Sequence, residues 1–222
     1  MKLDWIPQLF KDLIGRVVPG ATILLAACIV RAGHFSAVRS MLTTFKDESS
    51  VALLLTGLVI SYIVGYSLTQ VWGMIFGKCF KTKLDQIEME AKQERLEEHK
   101  QLQEALGYKS LSVAPEKLPE LFVMHDHIRI TIPQEANRLS KMQSEIRLCR
   151  ALIVGIGILC AANLLFLFCE PTFTRIIIEI VMMVVVRSAW RREKNLHKYY
   201  SNGVCVIWLS LASLNQLFQL PK

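Results

Sequence analysis

Charged residues are unevenly spaced along the 222-residue chain, and the gaps between them mark out its elements. The longest gap, Ser49 to Gly77, holds 29 uncharged residues and is closed by Lys78. As a helix it would extend ~43 Å, more than the ~30 Å hydrocarbon core of a bilayer. Inside it, Gly57, Ser61, Gly65, Thr69, Gly73 and Gly77 recur at every fourth position, with large apolar and aromatic side chains between them. Small residues at this spacing let a second backbone approach closely, which predicts a helix-packing groove. Each step of four turns the series a further ~40° around the helix, so six positions sweep about 200°. That arc suits either a right-handed helix crossing or two partners, one in the same subunit and one in a neighbour.

On either side the pattern changes. Trp5, Ile6, Leu9, Phe10, Leu13, Ile14 and Val17 lie on one helical face, which predicts an amphipathic interfacial helix over residues 1–18. Pro19-Gly20 is expected to re-aim the chain into a first span near 19–35, so residues 19–78 hold transmembrane helices 1 and 2. After Lys78 a polar helix is predicted over 81–106, ended by Gly107. Pro115 and Pro119 break the next stretch, where Ile128, Ile130 and Ile132 alternate as in a short strand. Pro133 opens another helix, which runs through Arg147 and Arg150 into a third span, Ala151 to Cys169. Residues 79–150 thus form a cytosolic helical stalk with an irregular, short-strand insert. Glu170-Pro171 makes a turn into a fourth span, Pro171 to Val186, giving transmembrane helices 3 and 4 within 151–187. Residues 188–222 form a cytosolic basic segment and an apolar C-terminal helix. The uncharged stretch Tyr199 to Leu220 reads either as a fifth span or as an apolar helix packed against the stalk or lying at the interface, and its polar interruptions disfavour the span. The predicted fold class is all-α, a polytopic membrane protein with four transmembrane helices.

Composition agrees with that class: 52% of residues are hydrophobic, too many for an ordinary soluble domain of this length. The net charge of +7 is placed informatively. Residues 78–150 carry 13 Lys and Arg against 12 Asp and Glu, so nearly all the excess lies beside the spans. This argues for a topology signal and against a nucleic-acid-binding stripe, and it puts both termini in the cytoplasm. No pattern for signal-peptide cleavage follows Met1, which is expected to be retained. The six cysteines have no CxxC spacing and read as reduced and structural.

Candidate chemistry is sparse. Arg175 and Glu179 fall inside the fourth predicted span, where an ionisable side chain costs ~2.5–3.5 kcal/mol on insertion scales and needs a partner or a water-filled cavity. Arg31 is expected at a depth similar to Arg175, and Asn163 of the third span can hydrogen-bond across helices. Together Arg31, Asn163, Arg175 and Glu179 are predicted to form an intramembrane polar centre, either an ion path or gate, or an ion pair that holds the helices in register. On a strand, His125 and His127 would share a face, but a third metal ligand at sensible spacing is missing. No metal, cofactor or catalytic residue is assigned, and the chain reads as a non-enzyme.

Arg16-Val17-Val18-Pro19-Gly20 before the first span, and the series Arg138, Lys141, Glu145, Arg147, Arg150 leading into the third, carry a whole-chain resemblance. The layout resembles uncharacterised four-span bacterial inner-membrane proteins of the kind found as membrane effectors in anti-phage systems. The resemblance implies a homo-oligomer in the bacterial inner membrane. It would act as a membrane effector or channel-like component controlled through the stalk, with a cytosolic protein partner contacting residues 81–150. The alternative is a non-conducting anchor or scaffold that recruits a cytosolic protein. Membrane lipid is a partner in both cases, and no nucleic-acid binding is expected.

Overall fold

Six α-helices account for nearly all of the computed structural model, which describes residues 6–34, 51–75, 77–105 and 115–218. They are α1 (Ile6–Ala32), α2 (Val51–Ile75), α3 (Gly77–Ala105), α4 (Leu121–Thr131), α5 (Pro133–Cys169) and α6 (Phe173–Phe218), with a 3-10 turn at Pro115–Lys117. Three are long and apolar enough to cross a membrane: α1 over Gly15–Ala32, α2 over Leu55–Met74, and α5. Trp5, the 39–48 loop, Gly107 and the junction at residue 76 lie outside the described residues. The chain divides into two compact units, one of Met1–Lys78 with Ser144–Glu193, the other of Cys79–Gln143 with Lys194–Lys222.

In the first unit, Ile23 and Val30 of α1, Ile156 and Cys160 of α5, and Ile178 and Met182 of α6 form one buried cluster, flanked by Val64 and Leu68 of α2. A second cluster joins Trp72, Ile153, Val154 and Ala189. The helices approach closely where small residues face backbone. A Cβ on Gly20 would stand 2.6 Å from the Ser61 carbonyl carbon, and one on Gly65 would stand 2.8 Å from that of Arg16. The centre of the small-residue series is therefore used inside the chain, against α1. Nothing lies within 4 Å of a Cβ on Gly57 or Gly73, while the Thr69 hydroxyl donates to the Gly65 carbonyl at 2.9 Å.

The re-aiming expected at Pro19-Gly20 does not occur, because α1 passes through Pro19 without a break. Proline removes one backbone hydrogen bond. Unwinding the helix among apolar neighbours would strand several more, and that difference keeps the helix whole. Pro19 itself is fully buried.

In the second unit the expected short strand is instead helix α4, and no strand occurs among the described residues. Its buried positions are Leu121, Met124, His125 and Ile128, spaced at the i, i+3, i+4, i+7 of an amphipathic helix. The alternation of Ile128, Ile130 and Ile132 is incidental, since Ile128 is fully buried and Ile130 is exposed. Ile132 ends α4 by donating its N–H to the Ile128 carbonyl, and its own carbonyl accepts from Ala136 to start α5. Pro133 then occupies the first helical position, where its missing N–H costs nothing. The basic segment and C-terminal helix are not separate elements, for α6 continues from Phe173 to Phe218. In the tail, Val204, Cys205 and Leu209 are buried, and the Gln143 amide donates to the Tyr200 hydroxyl at 2.6 Å.

Candidate functional site

The charged residues placed deepest among apolar helices converge where α1, α5 and α6 meet. Asn163 of α5 is fully buried. Its amide nitrogen donates to Glu179 Oε2 at 2.9 Å and to the Arg175 main-chain carbonyl at 3.1 Å. Its Oδ1 is buried without a hydrogen-bond partner. Glu179 itself is half-buried.

Arg175 is held differently. The residue is 6% exposed, and its guanidinium donates to the Val30 carbonyl at 3.1 Å, reaches Glu170 Oε2 at 3.5 Å and stacks over Phe166 at 5.1 Å. Val30 lies in the last turn of α1, whose carbonyls lack intrahelical partners and carry the negative end of the helix dipole. Gly33 closes that turn. With φ +72° it donates its N–H to the Ile29 carbonyl at 2.8 Å, the left-handed helix stop that glycine adopts without strain. A Cβ there would approach the Arg175 guanidinium to 3.1 Å. Gly33 and Arg175 together satisfy the Ile29 and Val30 carbonyls at the end of α1. At the start of α6, Thr172 Oγ1 accepts the Arg175 N–H at 3.4 Å, a loose N-cap.

Of the four predicted members, Asn163, Arg175 and Glu179 come together, whereas Arg31 is exposed on α1. Glu170, read from sequence only as part of a turn, is the acidic partner of Arg175. Gly33, which the predicted span of 19–35 runs through, instead ends α1, and its contact with Arg175 leaves no local sequence signal. Of the predicted groove, Ser61 and Gly65 are buried in the α1 contact and Gly57 and Gly73 are open. Gly77 begins α3, with its surroundings outside the described residues.

A second charged layer lies at the other end of the unit's apolar cores. Arg150 Nε and Nη2 both reach Glu193 Oε1 at 3.0 Å, and Arg192 reaches Glu145 at 3.1 Å. Glu193 is buried. Arg150 also covers the Trp72 ring at 5.8 Å, and Trp72 packs on Trp190 at 6.1 Å. Arg16 hydrogen-bonds the Tyr62 hydroxyl and lies over the rings of Tyr62 and Tyr66, at 5.3 and 5.1 Å. These pairs turn arginines that would be costly among apolar side chains into packing elements.

The second unit holds the histidines. His125 and His127 do not share a face, since two residues on a helix are ~200° apart. His125 is buried edge-on to Tyr200 at 5.9 Å, and His127 is exposed. Among the described residues, no three His, Cys, Asp or Glu side chains group as a metal site. Burial pushes the Cys205 thiol up to about 11, with Lys92 and Arg95 opposing and Glu88 reinforcing the shift, so it stays protonated and a poor nucleophile.

His99 Nε2 is 2.7 Å from Ser213 Oγ, which donates its own proton to the Leu209 carbonyl. The imidazole therefore donates through Nε2, while Nδ1 is buried without a partner. A second proton on Nδ1 would have no acceptor, and burial lowers the His99 pKa below its usual 6.5. The unfolded chain thus binds this proton more readily, so stability is full above pH ~6.5 and falls as pH drops below it. Amide exchange in 95–105 and 209–213, corrected for intrinsic rates, is expected to speed up between pH 7 and 5. A His99→Gln chain should lose that dependence.

Compared with known proteins, the chain matches no family model, no curated protein and no solved structure.

Proposed function

We propose that this chain is an oligomeric integral membrane protein, with α1, α2 and α5 as three spans and the Phe173–Val186 segment of α6 as a fourth. On this reading it sits in the bacterial inner membrane with both termini cytoplasmic. It acts as a membrane effector or channel-like component, governed through the polar unit built on residues 79–143, and has no catalytic role. Anti-phage defence is the setting its layout suggests. The observation that carries this reading is the Glu179–Asn163 pair. A half-buried carboxylate sits beside an amide whose oxygen is buried and unsatisfied, within the uncharged run of α5 and one turn from Arg175 on α6. Buried ionisable groups of this kind commonly mark ion or proton paths. Gly57 and Gly73 leave room on α2 for a neighbouring copy.

Purified protein in liposomes is the direct test. Glu179→Gln keeps an acceptor for Asn163 and removes the charge, so ion leakage is expected to change several-fold. Vesicles that leak identically with either protein would reduce Glu179 to a packing role. The anchor or scaffold reading is favoured by the presence of a polar unit with its own buried core. Vesicles that stay tight with wild-type protein, with and without a cytosolic extract, would select it.

A further inference from the structure

The exposed face of α6 changes character within one turn. Phe173, Ile177, Ile180 and Val184 are exposed at helical spacing, and the next two positions of the same stripe are Arg187 and Arg191, also exposed. The change does not coincide with the level at which α5 becomes charged. Two cross-links fix the register of these antiparallel helices, Asn163 with Glu179 and Arg150 with Glu193, thirteen residues apart on α5 and fourteen on α6. Arg187 is six residues from Glu193, ~9 Å along the axis. Six residues from Arg150 on α5 is Ile156, well inside the uncharged run that begins at Ala151. Arg187 is thus level with a part of α5 that is wholly apolar, and its own side chain is exposed there.

Nearby carboxylates do not offset it. On α5 and α6 in this layer five arginines (147, 150, 187, 191, 192) stand against two glutamates, and Glu193 and Glu145 are already engaged by Arg150 and Arg192. Among the described residues neither Arg187 nor Arg191 forms an ion pair. An arginine at this depth reaches toward the interface and draws polar headgroups inward. We infer that Arg187 and Arg191 form a binding surface for anionic phospholipid headgroups, seated above the level where α5 becomes charged. The guanidinium fork matches a lipid phosphate in shape and charge. The apolar stripe of Phe173 to Val184 directly above gives the acyl chains of the same lipid a continuous surface. A lipid meets both halves of this face, which a soluble acidic protein would not.

The inference rests on the membrane reading, and the two can be separated. Full-length protein is purified in mild detergent with equal phosphatidylglycerol and phosphatidylcholine, and retained lipid is read by native mass spectrometry. Wild-type protein is expected to retain phosphatidylglycerol several-fold over phosphatidylcholine. Arg187→Gln/Arg191→Gln should abolish the preference, and Arg187→Lys/Arg191→Lys should keep most of it, which separates lost charge from lost fold. Arg138→Gln, at an exposed site in the second unit, should change nothing. Equal retention of the two lipids by wild type, or an undiminished preference in the glutamine variant, overturns the inference. Alkaline extraction of native membranes supplies the other arm. A chain that washes out ends both readings, and one that resists extraction but shows no lipid preference ends only this one.

Discussion

Replacing Gly65 or Gly20 with alanine is expected to cost at least ~3 kcal/mol, the upper end of overpacking effects. The reason is what each Cβ meets. At both positions it falls on the partner helix's backbone carbonyl, 2.6 to 2.8 Å from the carbonyl carbon, and a backbone cannot rotate aside as a side chain can. The helices must separate, which loses the contact that small residues exist to make. Gly57→Ala and Gly73→Ala are the matched controls, because nothing lies within 4 Å of either Cβ. A helical glycine is ~1 kcal/mol worse than alanine, so these two should be neutral or mildly stabilising in the single chain. Melting temperatures in detergent read the contrast. A Gly65→Ala protein that melts with wild type would refute the close α1–α2 contact.

The second large effect is expected at Arg150. Its guanidinium is the partner of Glu193, whose side chain is only 8% exposed. Arg150→Met preserves much of the contact with Trp72 and leaves a buried carboxylate without a counter-charge, which costs ~3–5 kcal/mol. Arg150→Met/Glu193→Met removes the stranded charge as well and should recover most of that loss, since apolar pairs often replace buried ion pairs at little cost. Denaturant titration followed by circular dichroism gives the full cycle. A double variant as unstable as the single one would show that Arg150 acts through packing and not through Glu193.

The helices were legible in the sequence because charge gaps and apolar stripes are local. Val51–Ile75 and the course of α5 from Pro133 to Cys169 follow from counting residues. What failed depends on partners far along the chain. The alternation of Ile128, Ile130 and Ile132 fits a strand over five residues, and only the wider register of Leu121, Met124, His125 and Ile128 reveals a helix. Pro19 looked like a hinge because its intrinsic cost is visible locally, whereas the burial that keeps α1 intact is not. Depth counting places Asn163, Arg175, Glu179 and Arg31 at similar levels, but depth carries no azimuth, and Arg31 lies exposed on α1 while the other three meet. That Arg175 would spend its guanidinium on the Val30 carbonyl and Glu170 follows from tertiary geometry alone.

The polar contacts of α6 in the first unit have a temporal side. Arg175 depends on Val30 and Glu170, Glu179 on Asn163, Glu193 on Arg150, and Arg192 on Glu145. Every one of these partners precedes α6 in the chain. Synthesis runs from the N-terminus, so the most charged of the four helices emerges last, when each group that compensates it has already been made. No buried charge of α6 has to wait for a partner still on the ribosome, and the order of the sequence doubles as an order of assembly.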